Sequence, residues 1–141
     1  MRRRAGAARA GAALAVAVAM LVAGCFDVQS ADLFLLTRTG QGGKLTLLVN
    51  DGGTIRCNGA KAKAISNNGL ITARDLAENL VTDAQNHLTI PKAPGSVYYY
   101  TIKLEQGTVS FPDRAATTRK VLAQAELFAT QAAQQDCRLT G

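Results

Sequence analysis

The chain has 141 residues, of which 48% are hydrophobic and 18% charged, enough for one compact domain, too short for two and too apolar for a disordered tail. Its 25 Ala, 13 Gly, 3 Pro and 3 Cys fit neither a collagen-like chain nor a disulfide-dense miniprotein. The net charge of +6 is not a nucleic-acid signal, because Arg2, Arg3, Arg4 and Arg9 precede the first acid, Asp27, and residues 25–141 carry 12 basic against 10 acidic side chains, a net +2.

The chain opens on a positive stretch followed by an uncharged run from Ala10 to Ala23, 14 residues dominated by Ala, Val, Leu and Met. A bilayer span needs about 20 apolar residues, so this run has the length of a signal-peptide core. It stops at Val22-Ala23-Gly24-Cys25, which resembles the lipobox of bacterial lipoproteins. The resemblance implies a signal peptide over residues 1–24, recognised at Val22, Ala23 and Gly24, and a mature chain that begins at Cys25. The Cys25 thiol would carry the diacylglycerol, and the partner so implied is the membrane, on its extracytoplasmic face. Small residues at Ala23 and Gly24 open the backbone to a peptidase, and only a thiol supplies the nucleophile for a thioether. Each buried CH₂ adds about 0.8 kcal/mol of membrane affinity, so two or three acyl chains hold a protein stably. Residues 25–32 are the lipidated cysteine and a tether; the seven residues after Cys25 reach at most about 23 Å.

The folded domain is expected over 33–141. Leu33–Arg38 reads as a buried strand, and Thr39–Gly43 as a glycine-rich turn. Lys44–Val49 alternates as a second strand; Asn50-Asp51-Gly52-Gly53 turns the chain into a short third, Thr54–Cys57. A polar loop follows to Gly69. Thr72 is the expected N-cap of a helix whose apolar stripe is Leu76, Leu80, Ala84 and Leu88, with Arg74 and Glu78 spaced for an i,i+4 pair. Pro91 and Pro94 forbid its continuation. Val97–Leu104 alternates, with Tyr98 and Tyr100 inward and Tyr99 outward beside Thr101 and Lys103; Thr108–Phe111 returns. From Asp113 a second helix is expected to about Gln135, with Val121, Ala125, Phe128 and Ala132 facing the core. The fold class is therefore α+β: an antiparallel sheet of four to five strands in the order β-β-β-α-β-β-α, with two helices on one face. Cys57 and Cys137 are an even pair in an oxidising compartment and are expected to be bonded, tying the C-terminal helix to the first hairpin.

Catalytic signatures are missing. His87 is the single histidine, at a helix end that suits a cap; Ser30, Ser66, Ser96 and Ser110 lie in no G-x-S-x-G or S-x-x-K context. Gly40, Gly42, Gly43 and Lys44 lack the Walker spacing, and Asn50-Asp51-Gly52 lacks the further ligands of a calcium loop. Two distant cysteines and one histidine make no zinc site. No enzyme activity, cofactor or metal is expected.

Beyond the lipobox, the run Tyr99–Phe111, coming after a hairpin and a helix, resembles the arrangement in emfourin-type metalloprotease inhibitors. The strand–helix–strand order is also similar to that of the subtilisin-inhibitor family. In that family a disulfide braces the reactive loop, whereas Leu88–Gly95 has no cysteine. These readings give a lipid-anchored, non-enzymatic binding domain facing another envelope component. The alternative is a membrane-tethered protease inhibitor that uses the Pro91–Gly95 loop or a hairpin tip.

Overall fold

The computed structural model describes Val28 and residues 31–139; Val22, Ala23, Gly24 and Cys25 lie outside the described residues. The described chain is α+β, with a single antiparallel sheet and two α-helices. In chain order the elements are β1 (Asp32–Gly40), β2 (Gly43–Asn50), β3 (Thr54–Cys57), β4 (Lys63–Ala64), α1 (Asn67–Gln85), β5 (Tyr98–Leu104), β6 (Gly107–Pro112) and α2 (Lys120–Gln131). Across the sheet the order is β4-β3-β2-β1-β5-β6. β1 lies between β2 and β5, and the crossover from β4 to β5 is made by α1 and the proline-containing loop.

Alternation decides which face is buried. Phe34 and Leu36 of β1, Leu45, Leu47 and Val49 of β2, Ile55 and Cys57 of β3, Tyr100, Ile102 and Leu104 of β5, and Val109 and Phe111 of β6 are all buried on one side. Leu76, Leu80 and Ala84 of α1 and Leu122, Ala125, Phe128 and Ala129 of α2 join them in one core cluster. At its centre the Phe34 and Phe128 rings meet edge to face, centroids 5.4 Å apart. The Cys57–Cys137 disulfide, Cα–Cα 5.9 Å, closes the core at the β3 end and spans 80 positions. A covalent link of that loop length contributes about 4–5 kcal/mol in the chain-entropy account.

Four expectations are corrected. The sheet has six strands, not four to five, because Lys63–Ala64 adds an edge strand to β3 inside the stretch read as a loop. The first helix starts six residues earlier than expected, at Asn67, and Thr72 is not its cap. Ser66 Oγ accepts from the Gly69 N–H at 3.2 Å, while the Thr72 hydroxyl donates to the Asn68 carbonyl within the helix. Asn67, Asn68 and Gly69 are poor helix formers held there by this cap and by the Asp136 carboxylate, which accepts from the Ser66 N–H. Arg74 pairs with Asp51 in the β2–β3 turn at 2.7 Å, not with Glu78.

The last correction concerns the C-terminal helix, which is not continuous. Asp113–Thr117 is a 3₁₀ turn, Arg119 is extended, and α2 then runs to Gln131 before a π turn over Ala132–Asp136. The Asp113 carboxylate is engaged by the Val97, Tyr98 and Arg114 N–H groups, and the Thr117 and Thr118 hydroxyls donate to the Arg114 and Ala115 carbonyls. These local bonds compete with helix propagation. The break shifts the inward positions: Leu122 is buried and Val121 only half-buried.

Two tight contacts fix the α1 end. His87 has φ +50; its N–H donates to the Ala84 carbonyl and the Leu88 N–H to the Asp83 carbonyl, a Schellman motif with His87 as its left-handed residue. Gly107 opens β6 against this end, where a Cβ would run into the Ala84 carbonyl oxygen. Leu88 and Ile90 then bond the Ser110 backbone from outside, so the free edge of β6 is covered at that point.

Candidate functional site

The second face of the sheet carries neither helix. Strand register sorts its side chains into rows. Arg56, Leu48, Leu35 and Lys103 lie side by side across β3, β2, β1 and β5. The next row is Thr46, Thr37, Thr101 and Ser110, four hydroxyls on β2, β1, β5 and β6, with the Ser110 hydroxyl donating to Thr101 Oγ1 at 3.3 Å. Lys44, Thr39 and Tyr99 form the third row. The face is thus a strip of apolar floor between two cations, a strip of hydroxyls, and a third cation beyond.

Part of this face forms a concavity of about 510 Å³, bounded by Leu35, Thr37, Lys44, Thr46, Leu48, Arg56, Asn58, Gly59 and Lys103; Thr39, Tyr99, Thr101 and Ser110 lie outside it. Leu35 and Leu48 are half-buried, whereas Lys44, Arg56 and Lys103 are exposed. No carboxylate lines it. At the edge the Tyr99 ring carries a fourth cation, Lys92 Nζ, 5.7 Å from its centroid, and the Tyr99 hydroxyl donates to the Ile90 carbonyl at 3.1 Å. A larger hollow of about 710 Å³ begins at Lys44 and Asn58 and continues around the β1–β2 turn to Arg38, Tyr98 and Leu139; it too has no acidic lining.

The rim is rigid where β3 ends. Asn58, at φ +50, closes the β2–β3 ladder by donating its N–H to the Thr46 carbonyl, and its Oδ1 accepts from the Thr46 N–H, both at 2.8 Å. Between Arg56 and Asn58, Cys57 points into the core and is bonded to Cys137. The expected disulfide pair therefore does not form part of the concavity. It fixes the backbone that presents two of its rim residues.

The acids lie elsewhere. On α1, Asp75 and Glu78 are exposed, and Asp83 holds Arg119 at the start of α2 through both carboxylate oxygens, at 2.9 and 3.0 Å. Glu126 of α2 faces the far side of the sheet near Tyr100 and Asp113. Burial, and next the Asp113 charge, push its carboxyl up to about 7. Its Oε1 is buried without a hydrogen-bond partner. The Tyr100 phenol is likewise pushed up to about 12, by burial first and then by the Glu126 charge, with Arg38 opposing. Among the described residues no cluster of His, Cys, Asp and Glu could hold a metal ion, and no helix is long and apolar enough to cross a membrane.

The sequence reading placed Tyr99, Thr101 and Lys103 together on an outward face, and they are there. It missed Lys44, Arg56 and, from the hydroxyl row, Thr46, Thr37 and Ser110 as members of the same site. The signal was the outward alternation of β2 and β3; the pairing register that aligns them is not a property of any one strand. Comparison of the chain with protein-family models, with characterised proteins and with solved structures finds no match.

Proposed function

We propose that this protein is a lipid-anchored extracytoplasmic lipoprotein of the bacterial envelope whose folded part is a non-enzymatic binding domain. The observation that carries the binding role is the open sheet face: three exposed cations around a concavity that no carboxylate lines, in a mature chain of net charge only +2. Such an imbalance on one face selects an anionic partner by charge complementarity. The anchor rests on the sequence, through Cys25 and the lipobox before it.

The anchor is tested by the intact mass of the membrane-extracted protein. A chain starting at Cys25 with added acyl mass, lost in Cys25→Ala, is expected. The binding role is tested by retention of the domain on isolated bacterial envelopes. Wild-type protein is expected to be retained and released by salt, and the triple variant Lys44→Glu/Arg56→Glu/Lys103→Glu to flow through. Equal retention of both would overturn the assignment of the face.

A second reading, a membrane-tethered protease inhibitor, is favoured by one feature. Pro91–Gly95 is exposed throughout. It is held on one side by the Ile90–Ser110 backbone bond and on the other by the Asp113 carboxylate, which accepts from the Val97 and Tyr98 N–H groups. These bonds supply bracing that the sequence, lacking a cysteine there, does not advertise. Unimpaired proteolysis by subtilisin-type and thermolysin-type proteases at saturating domain would rule this reading out.

A further inference from the structure

We infer that the anionic partner of the open face is a linear, hydroxyl-bearing polyanion that lies across the strands, from the Arg56–Lys103 row over the hydroxyl row to Lys44. This rests on the reading of the face as the binding surface and goes further by naming the class of ligand. Strands lie about 4.8 Å apart and rise about 3.4 Å per residue, so Arg56 and Lys103 are about 14 Å apart at the backbone, and Lys44 stands about 14 and 17 Å from them. Side chains rise roughly perpendicular to a sheet, so the three charges stay separated. Gathering them on one phosphate or carboxylate would lay all three flat across the Leu35–Leu48 floor. A chain with recurring charges meets them where they stand.

Between the charges the face offers Thr46 and Thr37, and Thr101 and Ser110 continue the row toward β6; these hydroxyls both donate and accept hydrogen bonds and suit a ligand rich in hydroxyls. Other polyanionic partners fit less well. A bilayer surface would leave the concavity unfilled, and none of the most exposed large apolar side chains, Ile71, Val97, Leu127 and Leu139, lines it. An acidic peptide adding itself as a strand needs a free edge, and a sheet face has none. Nucleic acid needs stacking platforms, and Tyr99 is the one aromatic side chain among the three rows.

The core runs from Phe34 to Cys137, so a soluble chain starting at Asp27 retains all of it, and a mass shift of about two daltons on reduction checks the disulfide. The probe is polygalacturonate, titrated against this chain, with neutral dextran, poly-L-glutamate and vesicles containing anionic phospholipid as the other arms. Polygalacturonate is expected to bind in a salt-dependent manner, neutral dextran not to bind, and poly-L-glutamate and vesicles to bind more weakly. Lys44→Gln, Arg56→Gln and Lys103→Gln should each weaken binding about two- to fivefold, as exposed ion pairs do. Lys120→Gln, at an exposed cation on α2, should leave it unchanged. Thr37→Val should weaken binding with no change in its salt dependence.

Tighter binding to vesicles would overturn the inference in favour of a membrane surface, and equal binding to poly-L-glutamate in favour of an acidic chain without hydroxyls. If polygalacturonate fails while envelopes still retain wild type and not the charge-reversed triple variant, the polymer class is wrong and the face stands. If the triple variant is retained as well as wild type, both fall.

Discussion

The two faces of this sheet come from the same strands and differ in every property that matters for function. On the helix side, Phe34 and Leu36 of β1, Leu45, Leu47 and Val49 of β2, Tyr100, Ile102 and Leu104 of β5 and Val109 and Phe111 of β6 are buried, and Asp75 and Glu78 of α1 are exposed. On the other side the intervening residues are Thr, Lys and Arg with a pair of half-buried leucines, and nothing in the described chain covers them. A sheet whose second face were only a solvated surface would show scattered charges of both signs. Here the three rows keep one sign, and Asp75, Glu78, Asp83 and Glu126 sit on the helices across the core. One face holds the domain together and the other is the proposed binding face.

The contrast can be broken most sharply at neighbouring positions of β1. Phe34→Ala, on the enclosed face against Phe128, should cost about 3–5 kcal/mol by chemical denaturation. Leu35→Ala, one residue on and on the open face, should cost about 1 kcal/mol or less. Equal costs would mean that the open face is structural. Next in size is the disulfide: Cys57→Ala/Cys137→Ala should lose about 2–5 kcal/mol, and retention on envelopes should fall as the Arg56–Asn58 rim loosens. A loss of stability with binding intact would detach the rim from the bond.

Smaller effects sharpen the enclosed side. His87→Gly removes a side chain from a left-handed backbone at φ +50 and should stabilise the domain by about 0.5–1 kcal/mol. Glu126 gives a pH dependence. Its native carboxyl, at about 7, lies above the ordinary value of 4.5, so between those values the folded state holds a proton that the unfolded state has released. Stability should therefore fall as pH rises from about 4.5 to about 7 and level off above. Glu126→Gln should raise the melting temperature at pH 8, leave it unchanged near pH 4, and flatten that slope. An unchanged slope would move the titration to another group.

The strands with one apolar and one polar face were legible because their period of two is visible within each segment; β2, with Leu45, Leu47 and Val49, is the clearest. The Cys57–Cys137 pairing, present in the fold, was expected from parity and from the compartment the lipobox resemblance implies. What stayed hidden depended on distant partners. The Asn67-Asn68-Gly69 turn is helical because Ser66 and Asp136, 70 positions apart, hold it. β4 is a strand because β3 offers an edge, its own two residues having no pattern. The second helix breaks where Asp113 is drawn to the Val97 and Tyr98 amides. The candidate site was half visible for the same reason: Tyr99, Thr101 and Lys103 share one strand, whereas Lys44 and Arg56 reach them only through register.

The central claim, that the open face is the binding face, is tested most directly by nuclear magnetic resonance of the soluble chain, following backbone amides and leucine methyl groups as polygalacturonate is added. Shifts should concentrate at Leu35, Thr37, Thr46, Leu48, Arg56 and Lys103 and leave α1 and the Pro91–Gly95 loop unmoved. Shifts concentrated at Pro91–Gly95 or on the helices, with the open face silent, would contradict it.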